Sequence, residues 1–242
     1  MKVERISYSA GGITFAGALV HNGTTERRPA VLMGPNWLGV TDKAIERAGL
    51  IAGNRYVVFV ADMYGANVRP ANFVEAAALA NPLRNDAAEQ RRRVRAGYDA
   101  MVEEGSRRGI IDDGHRAALG FCFGGGNVLE LARDGVNLAA VVSIHGDLKT
   151  AAPAAKGAIK AAVLAIHGAP DPIVPKADRD AFENEMDAAG AKWQMLVFGG
   201  ILHAYTDLGA DVPGVAAYDE PATRQTYALT YQFIADAFAG RL

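Results

Sequence analysis

The residues best suited to chemistry gather at one turn, Gly120-Phe121-Cys122-Phe123-Gly124-Gly125-Gly126. An apolar run, Arg116 to Leu119, leads into it, and an apolar-periodic stretch, Asn127 to Ala132, leads out. This reads as strand, sharp turn and helix with a nucleophile at the tip. The pattern is Gly-x-nucleophile-x-Gly, the nucleophile elbow, with Cys where Ser is commoner. Glycines flank the nucleophile because side chains there would collide with the adjoining strand and helix. The sulfur would stand at a helix N-terminus, where unpaired N–H groups and the macrodipole favour thiolate over thiol. Cys122 is the only cysteine, which excludes an intrachain disulfide and a Cys-rich zinc site.

A thiol nucleophile needs a base, and the base needs an orienting acid. In an open α/β sheet such groups sit on loops beyond the carboxyl ends of strands. Asn36, Trp37, Asp62, Cys122, His145, Asp171 and His203 all occupy such places. Three of them make a mechanism. Cys122, Asp171 and His203 follow the chain order nucleophile, acid, base of α/β-hydrolases. His203 would take the thiol proton and return it to the leaving group, while Asp171 fixes its tautomer. The backbone N–H of Phe123 is one expected oxyanion donor, and that of Trp37 the other. Asn36, Tyr64, His145 and Tyr205 are expected to line the substrate pocket. His167, at another strand end, suits packing as well as a site. The spacing of His145, His167 and His203 matches no metal signature, so no metal is expected.

The elements that must position these groups alternate strand and helix. Val3 to Ser9 and Ile13 to Val20 read as an antiparallel hairpin about Gly11-Gly12. Pro29 to Met33, Tyr56 to Val60, Leu138 to Ile144, Ala162 to Ile166 and Lys192 to Phe198 read as strands, several apolar enough to be buried on both faces. Helices are expected over Lys43 to Ala52, capped by Thr41 or Asp42, and over Asp86 to Glu104, Lys176 to Ala189 and Glu220 to Phe238. Asp62 to Leu83 reads as a long connection with a short helix, Phe73 to Ala80, and residues 62–84 suit a cap over a site. Arg91, Arg92, Arg93 and Arg95 read as a solvated helix face. His21 reads as a surface turn residue, and Asp112 to His115 as an exposed turn. The whole describes one α/β domain over residues 1–242, a mostly parallel sheet with an antiparallel N-terminal hairpin and helices on both faces.

Bulk properties narrow the partners. The 242 residues are 50% hydrophobic and 21% charged, enough for a large buried core. A net charge of -2 argues against nucleic acid or an anionic membrane as partner. No signal-peptide pattern opens the chain and no apolar stretch is long enough to span a bilayer. The expectation is a cytoplasmic protein, monomer or homodimer, acting on a small molecule.

The sequence resembles the dienelactone hydrolase family. The resemblance is carried by Gly120-Phe121-Cys122-Phe123-Gly124-Gly125, Trp37-Leu38-Gly39-Val40 and Ala61-Asp62-Met63-Tyr64-Gly65. His167-Gly168-Ala169-Pro170-Asp171-Pro172-Ile173-Val174-Pro175 and Gly200-Ile201-Leu202-His203-Ala204-Tyr205 complete it in the family's order. It implies an α/β-hydrolase fold, a Cys-His-Asp triad, no cofactor, and hydrolysis of lactones or small esters through a thioacyl intermediate. Two positions depart from the family's pattern. The family carries a Glu just before the position of Trp37, where it helps switch the Cys between thiol and thiolate; here Asn36 cannot accept a proton. Its type enzyme carries an Arg shortly after the catalytic His to hold the substrate carboxylate; here the stretch is Ala204-Tyr205-Thr206-Asp207. Activation is then expected to rest on His203 and Asp171, through a Cys122–His203 ion pair or direct proton transfer. True carboxymethylenebutenolidase activity would need another Arg, such as Arg69 or Arg84. A ligand- or partner-binding scaffold without turnover is the alternative of another class.

Overall fold

Residues near the N-terminus alternate in exposure, as a strand with one solvated face must. In the computed structural model, which describes residues 1–242, they form β1 (Lys2–Ala10) and β2 (Ile13–His21), an antiparallel hairpin turned at Gly11 and Gly12 with positive φ. There follow β3 (Arg28–Gly34), α1 (Asp42–Ala52), β4 (Val57–Val60), α2 (Phe73–Arg84) and α3 (Ala87–Arg108). Next come β5 (Ile111–Phe121), α4 (Phe123–Arg133), β6 (Ala140–Ile144), β7 (Ala162–Gly168), α5 (Lys176–Ala189) and β8 (Trp193–Phe198). The chain closes with β9 (Asp211–Val212), β10 (Ala216–Ala217) and α6 (Glu220–Phe238).

Eight strands join in the order β1-β2-β4-β3-β5-β6-β7-β8. β2 meets β4 antiparallel, and β4, β3, β5, β6, β7 and β8 run parallel. This is the mostly parallel sheet with an antiparallel hairpin that the sequence predicts. Strand periodicity divides the core between two faces. Leu32, Phe59, Ala118 and Val141 pack under α2, α3, α4 and α5. Their neighbours Val31, Val58, Leu119 and Val142 pack under α1 and α6. Local chemistry sets the helix ends: Thr41 accepts from Ala44 N–H to cap α1, and Asp86 accepts from Glu89 N–H to cap α3. No helix is long and apolar enough to cross a membrane.

Four expectations change. The helix in the long connection does not stop at Ala80 but runs through Pro82 to Arg84, ending only where Asn85 and Asp86 start α3. Asp112 to His115 is not a free turn; β5 carries it as a bulge, the register stepping from Pro29↔Asp112 to Ala30↔Arg116. His21 is buried at the end of β2, its Nδ1 accepting from Gly23 N–H. The arginine run is not simply solvated, because α3 is packed on several sides. Arg91 pairs with the buried Glu130, Arg93 donates to the Met63 carbonyl, and only Arg95 is largely open.

Candidate active site

The elbow forms at the end of β5, where Cys122 takes φ 52° and ψ −122° as the residue before α4. A side chain rarely adopts that backbone, so the surroundings must hold it. Cys122 N–H donates to the Ile144 carbonyl at 3.1 Å, tying the turn to β6. Gly120 and Gly124 are required by close approach. A Cβ on Gly120 would run into the Gly124 carbonyl, and one on Gly124 into the carbonyls of Gly34 and Pro35. Phe123 opens α4, so its N–H has no intrahelical acceptor.

Loops after β7 and β8 bring Asp171 and His203 to this turn. His203 Nε2 lies 3.2 Å from Cys122 Sγ, and His203 Nδ1 lies 2.8 Å from Asp171 Oδ2. Asp171 Oδ1 accepts from Ile173 N–H at 2.8 Å and Val174 N–H at 3.1 Å, which fixes the carboxylate. His203 is held by the small β9–β10 ribbon, since its N–H donates to the Val215 carbonyl and its carbonyl accepts from Ala217 N–H. Burial works against a charge on His203, but the hydrogen bonds to Asp171 and Cys122 and their charges outweigh it, pushing its pKa up to about 10. Burial would likewise raise Asp171; the hydrogen bond and charge of His203, with the two backbone donors, hold it below the usual carboxylate range.

The expected pocket residues separate into two groups. Tyr64 stacks on Phe123 at 5.8 Å between ring centroids and donates its hydroxyl to the Trp37 carbonyl at 2.8 Å. Asn36 accepts from Leu38 N–H and donates to Asp207 Oδ2 at 3.1 Å. These residues surround the elbow. Tyr205, by contrast, is fully buried with its hydroxyl 3.0 Å from Thr226 Oγ1, packed toward α6 rather than lining an opening. His145 is also fully buried, edge-on to the His203 ring at 5.2 Å, with Nε2 2.8 Å from Thr206 Oγ1. Burial, and next the charge of His203, keep it well below the ordinary histidine range. His167 is buried with both ring nitrogens unpartnered, and burial brings its pKa down to about 3.

Asp62 is not part of this cluster. Its buried carboxylate accepts from Ala16, Tyr64 and Gly65 N–H groups and from Arg69, stapling the start of the long connection. Arg69 is thereby committed, donating also to the Gly65 carbonyl. Arg84 stands closer to the elbow, 5.3 Å from the Phe123 ring centroid, with its Nε on Asp147 at 2.7 Å. Sequence reading missed Arg47. Its guanidinium pairs with Asp207 at 2.6 Å, donates to the Thr206 carbonyl and lies 4.4 Å from the Phe121 ring centroid. Nothing in the helical pattern of α1 marks Arg47 for this, because its partners arrive from the far end of the chain.

Comparison with known proteins gives the family and the fold. The dienelactone hydrolase family matches residues 15–238. A dienelactone hydrolase-like promiscuous phosphotriesterase from metagenomic libraries is 31% identical with a TM-score of 0.88, each chain covered over 98%. A protein designated m3DLH is 32% identical with a TM-score of 0.89, again with 98% of each chain covered. A dienelactone hydrolase from Anabaena variabilis, 18% identical with a TM-score of 0.66 and 97% of each chain covered, shares the fold. No curated protein matches the chain.

Proposed function

The chain belongs to the dienelactone hydrolase family of ester-bond hydrolases, and on that premise we propose that it cleaves a small carboxylic ester or lactone with Cys122 as nucleophile, His203 as base and Asp171 as orienting acid. One observation carries the reading: the unbroken line from Sγ through Nε2 and Nδ1 to the carboxylate, at 3.2 Å and 2.8 Å. Sγ gives its proton to His203 and attacks the carbonyl carbon. The oxygen that becomes negative faces the N–H groups of Phe123 and Trp37. As the tetrahedral intermediate collapses, the C–O bond to the alcohol breaks and His203 returns the proton to the departing oxygen. Water, giving a proton to His203, then attacks the thioacyl carbon, the C–S bond breaks, and the acid leaves as His203 returns the proton to Sγ. In a lactone, alcohol and acid remain one molecule. A free thiol nucleophile suits a reducing cytoplasm.

Hydrolysis of p-nitrophenyl esters and lactones tests the reading. Cys122→Ala and His203→Ala should each lose about a thousandfold or more in kcat, and the pair together little more. Mass spectrometry should find an acyl adduct that is absent from Cys122→Ala. Turnover undiminished in Cys122→Ala would defeat the reading, and a folded chain without turnover on any ester would favour a binding scaffold.

Arg84 supports a second reading, the hydrolysis of a lactone that bears a carboxylate. Burial opposes its charge, but Asp147 more than restores it, and Arg84 lies over the ring of Phe123, the residue after Cys122. Asp207 on its own would repel a substrate carboxylate, but it is paired with Arg47 at 2.6 Å. Arg84→Gln should then raise KM for carboxylate-bearing lactones about tenfold or more and leave uncharged esters little changed.

A further inference from the structure

Exposed apolar side chains are unevenly spread over the molecule. Ten large hydrophobic residues lie open to water, and two of them, Phe73 and Val74, are neighbours at the start of α2. Phe73 is 58% exposed and Val74 81% exposed, although both belong to an ordered helix start. Asn72 caps α2 there, accepting from the N–H groups of Val74 and Glu75 at 3.0 Å. The Phe73 ring is fixed as well, stacked on Trp37 at 5.5 Å and 22°.

That stack begins a path inward. The Trp37 carbonyl accepts from Tyr64, and the Tyr64 ring lies flat on Phe123, the residue after the nucleophile. An exposed apolar patch held in place by a cap and a ring stack marks a binding surface. Its continuity with the elbow says which ligand it serves.

We propose that Phe73, stacked on Trp37, forms an apolar subsite for the hydrocarbon part of the ester, so that the substrates are esters or lactones carrying an alkyl or aryl group of several carbons. This rests on the ester-hydrolase reading above. Contact with Trp37 places that group against the residue whose N–H faces the developing oxyanion. Hydrocarbon binding thereby holds the carbonyl in position for attack.

Two ester series test the subsite: p-nitrophenyl esters of lengthening acids, and acetates of lengthening alcohols. kcat/KM should rise about two- to fourfold per methylene over the first additions. The series that rises identifies which side of the ester the subsite takes. Phe73→Ser should flatten the rise, while Val3→Ser, on the outer strand of the sheet, should keep it. A flat series in the unaltered protein, or a rise that survives Phe73→Ser, overturns the proposal. So does a patch that covers a second copy, seen as Phe73→Ser converting dimer to monomer with the rise unchanged.

Binding without turnover separates this proposal from the reading beneath it. Trp37 and Trp193 are the only tryptophans, so in Cys122→Ala combined with Trp193→Phe the fluorescence reports Trp37. Hexanamide should change it saturably, and Phe73→Ser should abolish the response. A response without hydrolysis of any ester keeps the subsite and defeats the hydrolase reading. Acetate hydrolysis with a flat series and no response does the reverse.

Discussion

Asp171→Asn tests the proposed site at its least replaceable contact. Asp171 Oδ1 accepts from two backbone N–H groups, those of Ile173 and Val174, and Oδ2 faces His203 Nδ1 at 2.8 Å. An amide must keep its oxygen on the two backbone donors, because an NH2 group there would meet donor with donor. The NH2 then faces Nδ1 and donates to it. That drives the imidazole proton onto Nε2, the nitrogen facing Cys122, where a base must be free to accept. The charge effect is large too. Carboxylate and imidazolium about 4 Å apart attract by about 4 kcal/mol at an effective dielectric of about 20, or about three pKa units. His203 stands at about 10 against an ordinary 6.5, so its titration should fall by about two to three units. Turnover of a p-nitrophenyl ester should fall about a thousandfold to ten-thousandfold. The assays are an NMR pH titration of the His203 ring and kcat/KM across pH, with thermal unfolding to establish that the variant is folded. A kcat/KM within tenfold of the unaltered enzyme, or a His203 still titrating near its original value, would refute the assignment of Asp171.

Gly124→Ala should cost about 1–3 kcal/mol of stability, read as a lower urea midpoint, because its Cβ meets the backbone carbonyls of Gly34 and Pro35 rather than movable side chains. Stability should also peak near neutrality. His167, lowered to about 3, is held neutral in the folded state, so its contribution is present above pH 6.5 and lost as pH falls toward 3; His145 acts in the same direction. His203, raised to about 10, works oppositely: its contribution is present below pH 6.5 and lost as pH rises through 10. Urea unfolding across pH measures both limbs, and an acid limb equally steep in His167→Gln would count against this account.

The sequence announces features that rest on local chemistry. The elbow is legible because Gly-x-Cys-x-Gly between an apolar strand and an apolar-periodic helix has few other readings. Asp171 and His203 are legible because each follows a strand end in chain order. The closing helix α6 is legible from its Asp219 cap and Pro221 at its start. What sequence hides is tertiary. Tyr205 lies only two residues beyond His203, yet the turn between them, with Ala204 at φ 53°, directs it toward Thr226. His21 sits beside Asn22-Gly23, which advertises a turn, but the β1–β2 pairing extends to it and buries it. Arg91 reads like its neighbours until α4 brings Glu130 against it. In each case spacing along the chain cannot say which element packs on which face.

The two departures from the family's pattern, Asn36 and Asp207, look unrelated in the sequence, 171 positions apart, and the structure joins them. Asn36 Nδ2 donates to Asp207, and Asp207 is paired with Arg47, which also donates to the Thr206 carbonyl. The loop carrying Trp37 is thereby tied to the loop carrying His203 through an amide that does not titrate and a carboxylate paired with Arg47. A switch that needs a carboxylate at position 36 to collect the thiol proton has no counterpart in such a link. In the proposed mechanism the proton goes to His203, the group the surroundings equip to hold it: Asp171 on one nitrogen and Cys122 on the other raise its affinity against the cost of burial. Asn36→Glu tests this division of labour. A carboxylate there would face Asp207 as a like charge, weakening the tie between the loops. If activation rests on His203, the substitution should lower kcat/KM through the displaced Trp37 N–H while leaving the NMR titration of His203 in place. If it instead restores a proton-collecting switch, kcat/KM should be preserved and the His203 titration should move.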